Sequence, residues 1–230
     1  MADSFSYKAT IIKDGDVQNR DTELILEEPL SMRIEGNPYA VVMRTPGDEI
    51  NHAAGFFLSE GLVSHREDFT TIGYCTEAGV NVVTATLNPQ RRERVMDLLD
   101  RRGFVSQTSC GICGKEMIED LYQILTPAED GFQIEMSRIF DCAAKLSKSQ
   151  NYYQTTKGSH AAMLFDDQLE MISFAEDVGR QDALVKAIGT AFIGRKLTEA
   201  AVVILASRRG EDWVREGAGE GLRVRRGRSG

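Results

Sequence analysis

Apolar and polar residues alternate with a period of two over residues 30–35, and 7–17, 39–44 and a shorter run at 24–26 also carry β-type patterning. That period is the signature of half-buried strands, and Gly36-Asn37-Pro38 supplies turn chemistry between the last two. The pattern then changes. Thr45-Pro46-Gly47-Asp48-Glu49 has the marks of a helix start: Thr45 as N-cap, Pro46 at the first position and acids in the first turn. The helix it opens spans 48–60, turns Ala53, Phe56, Phe57 and Leu58 inward, and stops at Gly61. A strand follows at 80–87, and residues 89–101 place Val95, Leu98 and Leu99 on one face of a charged helix. Residues 103–114 show no clean period and are dense in Gly, Ser and Thr, which predicts a loop. Further helices are predicted over 115–125 (Ile118, Leu121, Tyr122 and Leu125 on one face), 137–147 and 177–193. Residues 161–165 and 169–174 read as a hairpin over Asp166-Asp167, and 201–206 as a buried strand.

Strands and helices alternate through most of the chain, so the predicted class is α/β with a mixed sheet. No internal repeat stands out. The linker-like break at 126–131 suggests a strand-rich region at 1–126, which holds the 103–114 loop, and an α/β region at 127–230; one continuous domain is the alternative. The chain has no apolar stretch long enough for a transmembrane helix. Residues 1–13 lack a basic segment followed by an apolar one, so a cytoplasmic address and no membrane partner are expected. The formal net charge of −8 argues against non-specific nucleic-acid binding, which needs Lys and Arg to neutralise phosphates. The sign reverses locally: seven arginines stand against four acids from residue 208 to the end. That tail reads equally as a surface for an anionic ligand or as a solvated end.

Four cysteines are present, Cys75, Cys110, Cys113 and Cys142. Cys75 and Cys142 follow apolar residues and read as core positions. Cys110 and Cys113 form a C-x-x-C pair, which serves as half a zinc site, a dithiol switch or a nucleophilic sulfur centre. Structural zinc needs about four ligands, and the remaining candidates (His52, His65, His160, Cys75, Cys142) are not paired at ligand spacing. A zinc-binding or scaffold module is therefore the alternative to a reactive pair. Glycine follows both cysteines, which suits a mobile loop. The helix predicted from Lys115 would direct its N-terminal dipole at Cys113 and, if the loop curls, at Cys110. With the Lys115 cation this lowers a thiol pKa from about 8.5 toward neutrality. The spacing establishes a reactive pair and leaves its chemistry open.

Several segments, in order, resemble the formate dehydrogenase accessory sulfurtransferases, the FdhD family. They are Glu28-Pro29-Leu30; Thr45-Pro46 with Ala54-Gly55-Phe56-Phe57 and Ser59-Glu60-Gly61; Ser109-Cys110-Gly111-Ile112-Cys113-Gly114-Lys115; Gly158-Ser159-His160-Ala161-Ala162; and Glu176-Asp177-Val178-Gly179-Arg180. The resemblance runs over about residues 25–208. It implies a sulfur carrier that accepts a persulfide from a cysteine desulfurase. The sulfur then passes to the molybdenum of a bis-molybdopterin guanine dinucleotide cofactor, the bound substrate, before that cofactor enters formate dehydrogenase. Cys110 is the expected persulfide carrier and Cys113 its partner in the relay. The implied fold is a three-layer α/β/α arrangement with a mixed sheet, cytidine deaminase-like, as a homodimer. The cofactor is a polyanion, for which arginine forks and helix N-termini are natural ligands. On that ground Asp177 and Arg180, read as a helix N-terminus with a basic residue in its first turn, are cofactor-binding candidates, with His160 beside them. Solvation of Arg180, a simple helix cap at Asp177 and a turn hydrogen bond for His160 are the plain alternatives.

The chain departs from the family pattern in places. The Gly-Arg step is usually followed by His-Asn, and here by Gln181-Asp182; Val185 replaces an acid before Lys186, and Lys157 replaces a glycine. After Arg208 the family's usual helix and strand are not recognisable, so the C-terminus reads as atypical and shortened. Arg225, Arg226 and Arg228 stand where the family carries its basic, cofactor-contacting end. Weaker cofactor binding, or an incomplete fold there, is the expectation.

Overall fold

The structure, a computed structural model, describes residues 4–75, 81–101, 105–106 and 134–206. Asp14 and Gly15 both take positive φ (53° and 89°), the requirement of a tight two-residue hairpin turn. The chain therefore folds back on itself, giving β1 (Ser4–Lys13) and β2 (Asp16–Ile25), paired from Lys13↔Asp16 to Ser4↔Ile25. The single strand expected at 7–17 is thus two strands broken at an Asp-Gly turn. A second hairpin joins β3 (Glu28–Ile34) to β4 (Asn37–Arg44). Its turn is Glu35-Gly36, both at positive φ, so Asn37 and Pro38 open the strand instead of forming the turn.

Five strands form the larger sheet, in the order β5-β6-β3-β4-β7, with β5 at Phe69–Cys75, β6 at Val82–Leu87 and β7 at Val105–Ser106. The β3–β6 and β4–β7 pairs are parallel, the others antiparallel, so the sheet is mixed as expected. β5 has no counterpart in the sequence reading, because Gly73 interrupts an already short run. Cys75 closes β5 and is exposed, against the expectation of a core position, whereas Cys142 is buried as expected. The smaller sheet, β10-β8-β9, is antiparallel and comprises β8 (His160–Phe165), β9 (Met171–Asp177) and β10 (Val202–Ala206).

Among the described residues five helices accompany these sheets: α1 (Glu49–Ser59), α2 (Pro89–Arg101), α3 (Met136–Ser149), α4 (Asn151–Thr156) and α5 (Arg180–Ile193); the helix predicted over 115–125 lies outside them. Two predicted starts move. α1 begins at Glu49, with Asp48 in the left-handed region before it, so Thr45 and Pro46 are loop residues and not a cap. α5 begins at Arg180 after Gly179, and Asp177 is the last residue of β9, not a helix cap. The short α4, rich in Tyr and Thr, lacks the apolar period that would have announced it.

Both faces of β8 are buried, which explains its continuous apolar run. Ala162 and Leu164 enter the main core with Leu184 and Ile188 of α5, while Ala161, Met163 and Phe165 pack under Cys142 and Leu146 of α3. That main core also holds Leu30, Met32 and Val42 of the larger sheet and Phe57 of α1. One apolar core therefore joins residues from both ends of the described chain. No helix among the described residues is long and apolar enough to cross a membrane.

Candidate functional site

Two strand–loop–helix junctions, β4→α1 and β9→α5, meet where α1 packs on α5. The contact is made by glycines. A Cβ on Gly55 would overlap the carbonyl oxygen of Val185, and one on Gly189 would overlap that of Asn51. Each glycine thus faces the carbonyl four residues before the other, a reciprocal backbone-to-backbone packing only glycine allows. Side chains one turn earlier, His52 on α1 and Lys186 on α5, are thereby driven into the seam.

Lys186 lies in an otherwise apolar stretch of α5, and its buried ammonium needs partners. It finds the Asp177 carboxylate (Nζ–Oδ2 2.6 Å) and donates to the Thr45 carbonyl (2.7 Å). The Thr45 amide donates to the same Asp177 oxygen at 3.1 Å, and the Gly179 amide to Oδ1 at 2.8 Å. The Val178 amide donates to Thr45 Oγ1 at 3.0 Å. Thr45, Asp177 and Lys186 are all buried. Burial pushes the Asp177 carboxyl up from the ordinary carboxylate range, against the pull of the Lys186 ammonium; the Asp182 charge adds to the rise.

A second buried contact sets His52 Nε2 3.0 Å from Asp182 Oδ1, at ion-pair distance without hydrogen-bond alignment. The Asp182 carboxylate also fills the space a side chain on Gly179 would need, which accounts for glycine before Arg180. At the end of β4, Arg44 is fully buried, 3.1 Å from Glu49 and 4.0 Å from Glu28. Asn81 ties Tyr74 to Glu28 beside it, accepting from the phenol at 2.9 Å and donating to Oε2 at 2.8 Å. Burial, and secondarily the Glu49 charge, raise the Tyr74 phenol.

Of the residues proposed from sequence, His160, Asp177 and Arg180 fall at this junction. His160 pairs with Asp177 across β8–β9, and Arg180 opens α5; both are partly exposed, while Asp177 is wholly enclosed. Next to them Glu176 accepts from the amides of Tyr152 and Tyr153 (2.9 and 3.0 Å) and from the Ser159 hydroxyl at 2.6 Å, holding the start of α4. Cys110, Cys113, Arg225, Arg226 and Arg228 lie outside the described residues. Sequence reasoning gave no role to Thr45 beyond a cap, to His52 beyond a stray ligand, or to the Asp182 and Lys186 side chains. A lysine inside Ala183-Leu184-Val185-Lys186-Ala187-Ile188 was the available signal, since such a cation requires a buried acid.

Residues 25–230 match the family model described as the FdhD/NarQ family. The chain belongs to the FdhD/NarQ family. Sulfur carrier protein FdhD of Streptomyces coelicolor is 36% identical over 211 residues, spanning 88% of this chain and 74% of that protein. Its counterpart from Mycobacterium tuberculosis is 35% identical over 204 residues (84% and 73%). That of Anaeromyxobacter dehalogenans strain 2CP-C is 31% identical over 227 residues (94% and 78%). The crystal structure of a Desulfotalea psychrophila protein described as a formate dehydrogenase accessory protein superposes with a TM-score of 0.75 at 20% identity. It covers 97% of this chain and 84% of that one, which shows a common fold. The FdhD/NarQ match extends to residue 230, past the point near 208 where recognisable motifs end, and starts only where the β1–β2 hairpin finishes. In this FdhD/NarQ member the Gln181-Asp182 departure acquires a structural context: Asp182 faces His52.

Proposed function

We propose that this protein carries sulfur for the maturation of a formate dehydrogenase, with Cys110 as the persulfide site. The observation that supports this best is the direction of β7. It pairs in parallel with β4, Val41↔Ser106, and ends running toward the Arg44–Thr45 end of the sheet, four residues before Cys110. Thr45 is in turn stitched to Val178 and Asp177, so the strand that leads into the C-x-x-C segment and the Asp-Val-Gly-Arg segment converge on one edge. The shared name of the FdhD relatives supports the same reading.

Chemically, the Cys110 thiolate attacks the outer sulfur of a cysteine desulfurase persulfide. The donor S–S bond breaks, its electron pair leaves with the donor cysteine, and a persulfide forms on Cys110. Delivery as sulfide needs two electrons. Attack of the Cys113 thiolate on Cys110 Sγ supplies them, leaving a Cys110–Cys113 disulfide and releasing sulfide for the molybdenum of the bis-molybdopterin guanine dinucleotide substrate. Arg180 and His160 on the exposed side of the junction, together with Arg225, Arg226 and Arg228, would bind the nucleotide's phosphates and guanines. Asp177 has its carboxylate committed to Lys186, Thr45 and Gly179, so its part is to hold the loop that presents Arg180. A cytoplasmic address, the homodimer and the three-layer, deaminase-like arrangement belong to the same proposal.

Incubation with a cysteine desulfurase and cysteine should add about 32 Da per chain, one sulfur atom, and reductant should remove it. Cys110→Ala is expected to abolish the gain; an adduct retained on the same peptide would refute the assignment. Arg180→Ala should leave that loading intact and weaken guanosine diphosphate binding, read by calorimetry, by about tenfold. Unchanged binding would remove Arg180 from the nucleotide site.

A further inference from the structure

The contact between His52 and Asp182, in the first turns of α1 and α5, has no part in the sulfur chemistry. His52 is 1% exposed and Asp182 6%. Among the described residues, neither ring nitrogen of His52 nor Asp182 Oδ2 has a hydrogen-bond partner. Buried polar atoms are nearly always paired, so a contact this poorly satisfied calls for a reason. Stability does not supply one, because two apolar side chains of similar size would hold the same seam about as well.

A reason lies next to the pair. Gly179 precedes α5, Arg180 is its first residue and Asp182 its third. The Asp182 carboxylate packs directly on Gly179, where an added Cβ would collide with Oδ2. The Gly179 amide meanwhile donates to Asp177 Oδ1 at 2.8 Å, and the Val178 amide to Thr45 Oγ1 at 3.0 Å. The segment that leads into Arg180 is thus held by two carboxylates, each with its own basic partner: Lys186 for Asp177 and His52 for Asp182. The two pairs also feel each other. After burial and the Lys186 ammonium, the next influences on the Asp177 carboxyl are Asp182, which raises it, and His52, which lowers it. Lys186 ties the segment to its own helix. His52 ties it to α1, whose distance from α5 is set by the close approach of Gly55 and Gly189.

We propose that His52 is a positioning residue for Arg180: by retaining Asp182 on Gly179 it fixes where α5 begins, and so where the Arg180 guanidinium meets a nucleotide phosphate. The inference rests on the reading of Arg180 as a nucleotide ligand. Without His52 the Asp182 carboxylate is a buried charge with no counterpart, and it turns toward water. Gly179 then loses the group packed against it. Glycine has the widest backbone freedom of any residue, so the segment samples several conformations, few of which suit the ligand.

Calorimetry of guanosine diphosphate binding to the full chain tests it, at a temperature where circular dichroism shows each variant folded. His52→Leu keeps the volume and removes the polar contact, and Asp182→Ala empties the space on Gly179 from the other side. Each should raise the dissociation constant about fivefold. His52→Gln, whose amide still donates to Asp182, should stay within about twofold of wild type. So should His52→Leu/Asp182→Asn, in which an uncharged amide remains on Gly179. In an Arg180→Ala background, His52→Leu should have no further effect. If Arg180→Ala weakens binding while folded His52→Leu and Asp182→Ala bind as wild type does, the inference fails and the nucleotide site stands. A loss that His52→Gln shares in full, or that persists beside Arg180→Ala, also overturns it, because His52 then acts on something else. A wild type that does not bind, or binding unchanged by Arg180→Ala, removes the nucleotide site itself and the inference with it.

Discussion

Lys186→Met should destabilise the protein by about 3–5 kcal/mol, because it leaves Asp177 as an unpaired charge in the interior. The expectation rests on geometry: the two groups are 2.6 Å apart, both buried, and the ammonium also serves the Thr45 carbonyl. Adding Asp177→Asn should restore more than half of the loss. The charge is then gone, and the single amide oxygen keeps one of the two amide donors, Thr45 or Gly179, which bond different oxygens of the carboxylate. The defect should also depend on pH in a fixed direction. Burial already lifts the Asp177 carboxyl, and removing Lys186 lifts it further. A carboxyl raised on folding is no burden below its unfolded value, about 3.9, where it is neutral in both states. The penalty then grows as pH rises from there toward the folded value. Denaturant unfolding across that range should therefore show the gap between Lys186→Met and the wild type narrowing in acid. A loss below about 1 kcal/mol at neutral pH would mean that the pair is not enclosed as described.

Gly189→Ala should cost about 3 kcal/mol in thermal or denaturant unfolding, although alanine favours helices over glycine by up to about 1 kcal/mol. The steric effect wins because the methyl would meet the Asn51 carbonyl, an atom of backbone that cannot rotate aside. The helices must part, and the His52–Asp182 contact and the Lys186–Thr45 hydrogen bond with them. Gly55→Ala should behave alike through the Val185 carbonyl, whereas Gly73→Ala, with nothing within 4 Å, serves as the neutral comparison. Similar stabilities for Gly189→Ala and Gly73→Ala would contradict the close packing of α1 on α5.

Periodicity locates most of the long elements because their apolar faces are buried on one side, as in β3, β4 and α3. It fails where local chemistry decides. Asp14-Gly15 turns the chain within an alternating run, and alternation continues on both sides of it, so the pattern alone does not show the break. The helix starts are misplaced for a related reason. Thr45-Pro46 and Asp177 have the composition of caps, yet their hydrogen bonds go to each other's loops, more than a hundred residues away in sequence, and no local rule foresees that. Cys75 is misread because Ile72 and Tyr74 precede it, although strand alternation turns neighbours to opposite faces. Conversely, the ordered motifs indicate the family correctly, and the FdhD/NarQ match bears them out.

The bonds that stitch Thr45 to Asp177, Val178 and Lys186 span 132, 133 and 141 residues. Contacts so distant in sequence are slow to form, since the chain between them must be ordered before they are rewarded. On a ribosome none of them can exist until the end of β9 has been made, and the Lys186 bond not until α5 has, long after α1 has emerged. The junction is therefore a late product of folding. A nascent or partly unfolded chain has the cysteines but not this edge, so the junction distinguishes a finished molecule from an incomplete one.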